Sequence, residues 1–329
     1  MLDWLGLGSI VAGAAVNALF ALPMKYMKRW AFENVWFVFS FFTLIVFPWT
    51  LGFASIPQFA RELIQAGAVT VGLCVLGLFW GVGQVCFGVA LQELGISLAT
   101  AIMLGVSIVV GSGAACFLAR GSGRVSLSLF AVLFLTVVGV LLCTLAGRRR
   151  STFELSRKGL FCSLVAGVGA GLFNVAVSVG APVVHVAVEH GGDPHFSQMA
   201  AWVPFLFGGA IPNLGFCLHR LFSGRSFAAF RVPATRWYWI YAIGMAAFWL
   251  GSSLLYGFGA MRLGVWGPTF AFPIYISLIV VYTTLLGLLV GEWRQASLRS
   301  LVLLHSGVVL LLVSVFLTAG VKHTFGEMH

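Results

Sequence analysis

The sequence predicts an all-α polytopic membrane protein, with ten transmembrane helices arranged as two inverted five-helix repeats. Its 329 residues are 60% hydrophobic and only 9% charged, whereas soluble domains carry roughly 25% charged residues. A polytopic helical membrane protein therefore accounts for the composition better than a soluble fold does. Two further observations, a series of long apolar runs and an internal repeat, complete the prediction.

Ten apolar runs have about the 20 residues that a helix needs to cross a bilayer. Five precede the basic segment of residues 148–158 and five follow it, which divides the chain into residues 1–147 and 159–329. The predicted runs are Trp4–Leu22, Val35–Phe53, Gly67–Leu91, Ile96–Leu118, Ser126–Ala146, Gly159–Val184, Phe196–Leu221, Trp237–Met261, Gly267–Val290 and Ser300–Gly320.

The third run contains a stretch that recurs in the eighth. Residues 78–95 read LFWGVGQVCFGVALQELG, and residues 247–264 read AFWLGSSLLYGFGAMRLG. At a constant offset, Trp80 falls on Trp249 and Phe87 on Tyr256. A duplicated membrane unit is typical of secondary transporters, which bind substrate between their two halves.

The number of runs and the distribution of positive charge predict the topology. Because five is odd, the second half must enter the membrane from the opposite side, so the repeats are inverted. The loops after the first, third, fifth, seventh and ninth runs hold fourteen of the nineteen Lys and Arg residues. The positive-inside rule assigns those loops to the cytoplasm and both termini to the outside.

The sequence lacks the motifs that would indicate an enzyme, an ATP-driven pump or a metal-binding protein. The sequence has no nucleotide-binding P-loop and no hydrolase or metalloprotease motif, so we expect neither an enzyme nor an ATP-driven pump. The six cysteines lie in or beside apolar runs without a CxxC pair, and we expect neither a metal site nor a cofactor. The net charge of +10 reflects membrane topology, so we expect no nucleic-acid partner.

Polar and aromatic side chains within the runs are the candidates for substrate binding. Trp80, Gln84 and Phe87 share one helix face because they stand at i, i+4 and i+7. An amide suits a ligand rich in hydroxyl groups, and flat aromatic rings suit the apolar face of a sugar. The alternative is that these residues only pack helices together. The other candidates are Trp249, Ser253, Tyr256, Asn17, Asn174 and Trp266.

Few titratable side chains are placed to carry a proton. His305 lies about six residues into the tenth run, and it is the clearest titratable group within the membrane. Glu93 and Glu292 lie at the predicted cytoplasmic edge. These three residues are the candidates for proton coupling.

Four segments of the chain form a recognisable set: LPMKYMKRW at 22–30, FWGVGQ at 79–84, GAIPNLGFC at 209–217 and GEW at 291–293. Together they resemble the L-rhamnose–proton symporter family of the drug/metabolite transporter superfamily. The chain departs from the family pattern at Ser252 and Ser253, where a glutamine is expected, and at Pro268, where an acidic residue is expected. Trp266 and Tyr275 stand where Gln and His are expected.

The resemblance implies import of a deoxy-sugar with protons, across a bacterial inner membrane. L-rhamnose or a related deoxy-sugar is the expected substrate, moved by alternating access between the repeats. The alternatives are an exporter of the same superfamily, an uncoupled sugar facilitator, and a receptor or scaffold that keeps the fold without transport.

Overall fold

The structure is a computed structural model that describes residues 3–94, 96–118, 127–148, 156–289, 291, 293–294 and 296–326. All regular secondary structure in these ranges is helical. The α-helices are α1 Trp4–Leu19, α2 Phe32–Phe41, α3 Phe47–Ser55, α4 Phe59–Gln65, α5 Ala68–Leu94, α6 Ile96–Leu118, α7 Leu127–Arg148, α8 Arg157–Glu189, α9 Met199–Ser223, α10 Arg236–Arg262, α11 Gly267–Leu289 and α12 Leu298–Gly326.

Within the described ranges, eight helical segments are long and apolar enough to cross a membrane. Two shorter apolar segments, Ile102–Leu118 and Phe130–Ala146, lie inside α6 and α7 at the places of the fourth and fifth predicted runs. The prediction of an all-α polytopic membrane protein is confirmed at this level. The eight segments are Trp4–Met24, Phe32–Ser55, Ala68–Leu94, Arg157–Glu189, Met199–Ser223, Pro233–Arg262, Gly267–Leu289 and Leu298–Thr318.

The second predicted run forms one span, Phe32–Ser55, but its α-helix is interrupted by a π-helical turn. A π-helical turn, Phe42–Val46, separates α2 from α3, and Pro48 follows at the start of α3. Proline removes a backbone donor, and a π turn inserts a residue into the helical register, so both bend a helix. Local patterns of hydrophobicity do not reveal such a turn, which is why the prediction had one uniform helix.

Two other elements differ from the predicted runs. Helix α8, which corresponds to the sixth predicted run, extends to Glu189 rather than Val184, and it continues past Pro182. A short helix, α4, lies in the loop between the second and third spans, where no element was predicted. It matters below because it carries Glu62, whose side chain is only 7% exposed.

Contacts between loops define two ends of the bundle. At one end, the α1–α2 loop meets the segment before α10, where Trp30 Nε1 donates to the Ala229 carbonyl at 3.2 Å. We call this the basic end, because the loops after α1, α5, α7, α9 and α11, together with the helix ends that flank them, carry fourteen of the nineteen Lys and Arg residues. At the opposite end, the Asp193 N–H donates to the Ser55 carbonyl at 3.0 Å.

Helices of the two sequence halves interleave. The pair α5–α8 has a counterpart in α10–α1, and α5–α9 has a counterpart in α10–α2. The pair α6–α8 corresponds in the same way to α11–α1. The pairs α7–α12 and α6–α11 directly join helices that hold the same place in the two predicted repeats. Each half therefore packs mainly against the other.

Glycine allows α5 to contact α8 and α9 backbone to backbone. A Cβ atom on Gly83 would lie 3.0 Å from the Gly169 Cα of α8. A Cβ atom on Gly77 would overlap the Phe205 carbonyl oxygen of α9, and one on Gly208 would overlap the Cys74 carbonyl oxygen of α5. Small residues permit such close crossings in membranes, so these three helices form one tightly packed group.

Candidate substrate-binding cavity

A cavity of about 660 Å³ lies between the two halves of the bundle. The side chains that line it come from the middle of the bundle and from the half of each helix nearer the basic end. They include residues of the α1 C-terminus, the α2 N-terminus, the C-terminal part of α5 and the N-terminal part of α6. The cavity therefore extends from mid-bundle toward the basic end.

Six of the nine residues predicted to bind substrate line this cavity. Trp80, Gln84 and Phe87 lie along one face of α5, as their spacing predicts. The other three are Asn17, Trp249 and Ser253. Asn174, Tyr256 and Trp266 are not among the lining residues.

The lining offers hydrogen-bonding groups that the protein itself does not use. The Gln84 amide is partly exposed and makes no hydrogen bond within the described part of the chain. Asn213 donates to the Gly209 carbonyl at 2.9 Å through Nδ2, and its Oδ1 has no partner among the described residues. An amide presents both a donor and an acceptor, so these side chains can bind hydroxyl groups of a ligand.

Aromatic rings form the floor of the cavity at mid-bundle. The ring centroids of Trp80 and Trp249 lie 6.0 Å apart. Phe173 lies 5.8 Å from Trp249, and Phe205 lies 5.5 Å from Trp80. These spacings fall in the favourable range for aromatic pairs, so the two tryptophans are held in place by their neighbours.

A chain of hydrogen bonds runs from the cavity wall into the bundle. Asn17 Nδ2 donates to the Tyr275 hydroxyl at 3.0 Å. Ser252 donates to the Gly13 carbonyl at 2.7 Å, so in the 2.6 Å contact between Ser252 and Tyr275 the tyrosine is the donor. The chain fixes the orientation of Asn17 and joins α1, α10 and α11.

Tyr275 lines the cavity, yet it was not among the predicted binding residues. The signal that could have revealed it is helical spacing along α11. Phe272, Tyr275, Ile279 and Thr283 stand three or four positions apart, and all of them line the cavity.

Asn174 and Tyr256 lie beneath the floor, toward the opposite end. Both are completely buried. The Tyr256 hydroxyl donates to Asn174 Oδ1, and Asn174 Nδ2 donates to the carbonyls of Gly111 and Pro268 at 3.0 and 2.9 Å. Every polar group of Asn174 is thus used within the protein. The two residues seal the bundle below the cavity instead of facing a ligand.

An ion pair and a side-chain hydrogen bond join the two halves at the opposite end. Arg262 Nε donates to Asp3 Oδ2 at 2.8 Å. The Gly6 N–H donates to Asp3 Oδ1 at 2.9 Å, and chiefly this bond, with the Arg262 contact, holds the pKa of the Asp3 carboxyl below its usual value. A lowered pKa means that the contact is lost only at acid pH, as the pH falls through that value. Glu62 adds a second link, with its Oε1 2.6 Å from His190 Nδ1.

The three predicted proton-coupling residues lie away from the cavity lining or outside the described residues. His305 is exposed on α12, and its Nδ1 lies 2.7 Å from the Leu301 carbonyl oxygen. Glu93 accepts hydrogen bonds from Ser156 and Lys158 at the basic end. Glu292 lies outside the described residues.

The described residues that line the cavity include no Asp, Glu, Lys, Arg or His. A charged ligand would lose its hydration there without gaining a counter-ion, which costs several kcal/mol. The cavity is therefore suited to an uncharged ligand that has both polar and apolar faces. Its volume lies within the range of about 300–1,000 Å³ that is usual for small-molecule sites.

Comparison with solved structures supports the fold. A chain of known crystal structure superposes with a TM-score of 0.59 over 96% of this chain and 97% of its own length. The two sequences are only 13% identical, so the likeness concerns the fold alone.

Comparison with sequences identifies the family. L-rhamnose-proton symporters of Salmonella paratyphi A and Salmonella typhimurium are each 26% identical to this chain over 325 residues. Each match covers 92% of this chain and 93% of the relative. A family model described as L-rhamnose-proton symport protein (RhaT) matches residues 4–322. The resemblance predicted from the sequence is confirmed, and the chain belongs to the L-rhamnose-proton symport protein family.

Proposed function

We propose that this protein imports L-rhamnose or a related deoxy-sugar together with protons, by alternating access across a bacterial inner membrane. The observation that carries the proposal is the cavity between the halves, which is uncharged among its described lining residues and combines amide groups with aromatic rings. The names of the relatives favour symport over the alternative of an exporter.

The chemistry of the cavity suits a deoxy-sugar. The amides of Gln84, Asn17 and Asn213 provide donors and acceptors for ring hydroxyls. Trp80 and Trp249 provide apolar surfaces against which the C–H face and the methyl group of a deoxy-sugar can pack. A hydroxyl left unpaired in such a site costs binding energy, which gives selectivity among sugars.

The interleaved packing supports ten helices in two inverted repeats, with residues 1–147 and 159–329 as the repeats and residues 148–158 as a cytoplasmic linker. Exchange of the halves turns α5–α8 into α10–α1 and α5–α9 into α10–α2, and both members of each exchange are contacts in this structure. A pseudo-two-fold axis in the membrane plane generates such pairs. Such an axis also places the substrate between the repeats.

The shape of the cavity supports alternating access with this structure as the inward-facing state. The cavity reaches the basic end, which the positive-inside rule assigns to the cytoplasm. The opposite end is closed by the Asn174–Tyr256 contact and by the Asp3–Arg262 and Glu62–His190 pairs. Opening that end while closing the basic end would expose the same site to the outside, where both termini lie in this topology.

Family membership supports proton coupling, although the described cavity lining has no Asp, Glu, Lys, Arg or His. The proton site would therefore lie outside that lining. His305, Glu93 and Glu292 remain the candidates that the sequence suggests. To them we add Glu33 and Glu62, because their side chains are buried and each contacts a residue of the other half, Ser226 or His190.

Uptake into proteoliposomes tests the proposal. Purified protein should accumulate labelled L-rhamnose when the outside is acidic, and excess unlabelled deoxy-sugar should compete while an amino acid or a nucleoside should not. Uptake that reaches equilibrium without accumulation would favour a facilitator. Absence of binding and uptake for every sugar tried would overturn the proposed substrate class.

A further inference from the structure

Five buried hydroxyl groups have no hydrogen-bond partner within the described part of the chain. They belong to Thr43, Ser112, Ser163, Thr269 and Ser277. Of these five residues only Thr43 borders the cavity. A buried hydroxyl without a partner is unfavourable, so its position in the wall of a binding site needs a reason.

Thr43 differs from the other four residues in its backbone, which is π-helical rather than α-helical. In the α-helical segments, threonine hydroxyls usually donate to the carbonyl four residues earlier, as do those of Thr50, Thr136 and Thr144. Thr43 instead lies in the π-helical turn Phe42–Val46, where the helical register is altered. Its hydroxyl has no hydrogen-bond partner among the described residues. Single π turns within α-helices occur frequently at functional sites.

The same turn lies among the other cavity-lining groups. It packs on α9 and α10, the helices that bring Asn213 and Ser253 to the cavity. Its neighbours Ser40 and Leu44 also line the cavity. Thr43 itself has no exposed surface in this state, so a ligand can reach its hydroxyl only when the wall shifts slightly. The π turn and Pro48 provide the point at which this span can bend.

From these observations we infer that Thr43 is a substrate-positioning residue, whose hydroxyl forms a hydrogen bond with one ring hydroxyl of the sugar as the cavity closes around it. The inference rests on the proposed function, because it names a contact within the proposed sugar site. The hydroxyl has no partner in the sugar-free state, and the bound sugar supplies one.

Two opposite effects of one substitution distinguish this role from a structural one. Thr43→Val keeps the shape of the side chain and removes the hydroxyl. Because an unpartnered buried hydroxyl is unfavourable, the sugar-free variant should melt at the same or a higher temperature than the unaltered protein. Sugar binding should nevertheless weaken by roughly 5- to 150-fold, the usual effect of losing one buried hydrogen bond.

The experiment compares three variants by melting temperature and by calorimetric titration with L-rhamnose. Thr43→Ser should keep most of the affinity, because it retains the hydroxyl. Thr269→Val is the matched control: its hydroxyl is also buried and unpartnered but lies outside the cavity lining, so its affinity should not change. Titration with monodeoxy derivatives of L-rhamnose should identify one sugar hydroxyl whose removal abolishes the difference between Thr43→Val and the unaltered protein.

Equal affinity of Thr43→Val and the unaltered protein would overturn the inference. So would an equal loss in Thr43→Val and Thr43→Ser, because the shape of the side chain rather than its hydroxyl would then matter. If the unaltered protein binds no sugar, the proposed function fails first and the contact fails with it. The measurement on the unaltered protein therefore separates the two failures.

Discussion

The indole rings of Trp80 and Trp249 lie with their centroids 6.0 Å apart across the interface between the two halves. The two residues occupy the same position in the repeated stretch of α5 and α10. Both line the cavity. A sequence repeat thus becomes a pair of like side chains that meet at the floor of one site.

Because these rings form one surface, we predict that their contributions to sugar binding are not additive. Trp80→Leu and Trp249→Leu should each weaken L-rhamnose binding. If the two effects were independent, the fold-losses of the single variants would multiply in the double variant. We expect the loss in the double variant to be smaller than that product by roughly 2- to 13-fold, which corresponds to the usual energy of an aromatic pair. Calorimetric titration provides the dissociation constants. Trp80→Leu combined with Trp237→Leu, at an exposed position, should instead be additive.

Gln84 should bind substrate directly. Gln84→Leu keeps the bulk of the side chain and removes one donor group and one acceptor, so affinity should fall by roughly 5- to 150-fold. Gln92→Leu lies on the same helix with an exposed side chain and should bind normally. If Gln84→Leu expresses and elutes like the unaltered protein and binds L-rhamnose equally well, this face of α5 serves packing instead.

The contact between Tyr256 and Asn174 should stabilise the closed opposite end. Tyr256→Phe would leave Asn174 Oδ1 buried without a partner, which should lower the free energy of unfolding by about 1–3 kcal/mol. Tyr241→Phe is the control on the same helix, because its side chain is exposed and its hydroxyl has no partner among the described residues. Melting curves in detergent measure both effects. Equal melting curves for the two variants would show that the Tyr256 hydroxyl does not stabilise the closed end.

The topology predicts opposite labelling at two introduced cysteines. In a protein without its native cysteines, a membrane-impermeant maleimide added to intact cells should label Gly326→Cys and should not label Ser151→Cys. After the cells are opened, both should react. Labelling of Ser151→Cys alone in intact cells would reverse the topology, and this structure would then be open to the outside.

Proton coupling should require a titratable group outside the described cavity lining. Uptake of labelled L-rhamnose should fall when a protonophore collapses the proton gradient. Replacement of the coupling residue among His305, Glu93, Glu292, Glu33 and Glu62 should leave equilibrating exchange intact and abolish accumulation. His219→Gln provides a comparison at a histidine that is not proposed for coupling. Accumulation that survives a protonophore would exclude the symport mechanism.

The sequence alone was sufficient to predict an all-helical membrane protein and to single out six of the residues that line the cavity. Long apolar runs predict helical spans, because backbone N–H and C=O groups inside a bilayer can form hydrogen bonds only with one another. The internal repeat drew attention to the third and eighth predicted runs, which are α5 and α10. Helical spacing then placed Trp80, Gln84 and Phe87 on one face of α5. Those predictions depend on local patterns, which a sequence carries directly.

Other features depend on partners that are distant in the sequence. Tyr256 has the same place in the repeat as Phe87, yet it is sealed beneath the floor because Asn174 of α8 accepts its hydrogen bond. Thr43 looks like any helical threonine until the π turn is known. The sequence places Glu62 in a loop between two predicted runs, but in the structure α4 holds its side chain against His190 at the end of α8. Each outcome follows from tertiary packing rather than from local pattern.

The glycine contacts that fix α5 to α8 and α9 have a consequence for how the molecule divides. At Gly77, Gly83 and Gly208 the helix backbones lie too close together to admit a Cβ atom, so sliding of α5 against α8 and α9 would bring larger neighbouring side chains into these contacts. In the proposed alternating-access cycle, α5 of the first sequence half would therefore move together with α8 and α9 of the second half. A unit that rocks as one body would then contain helices from both halves of the sequence, and neither half synthesised alone would contain a complete moving part.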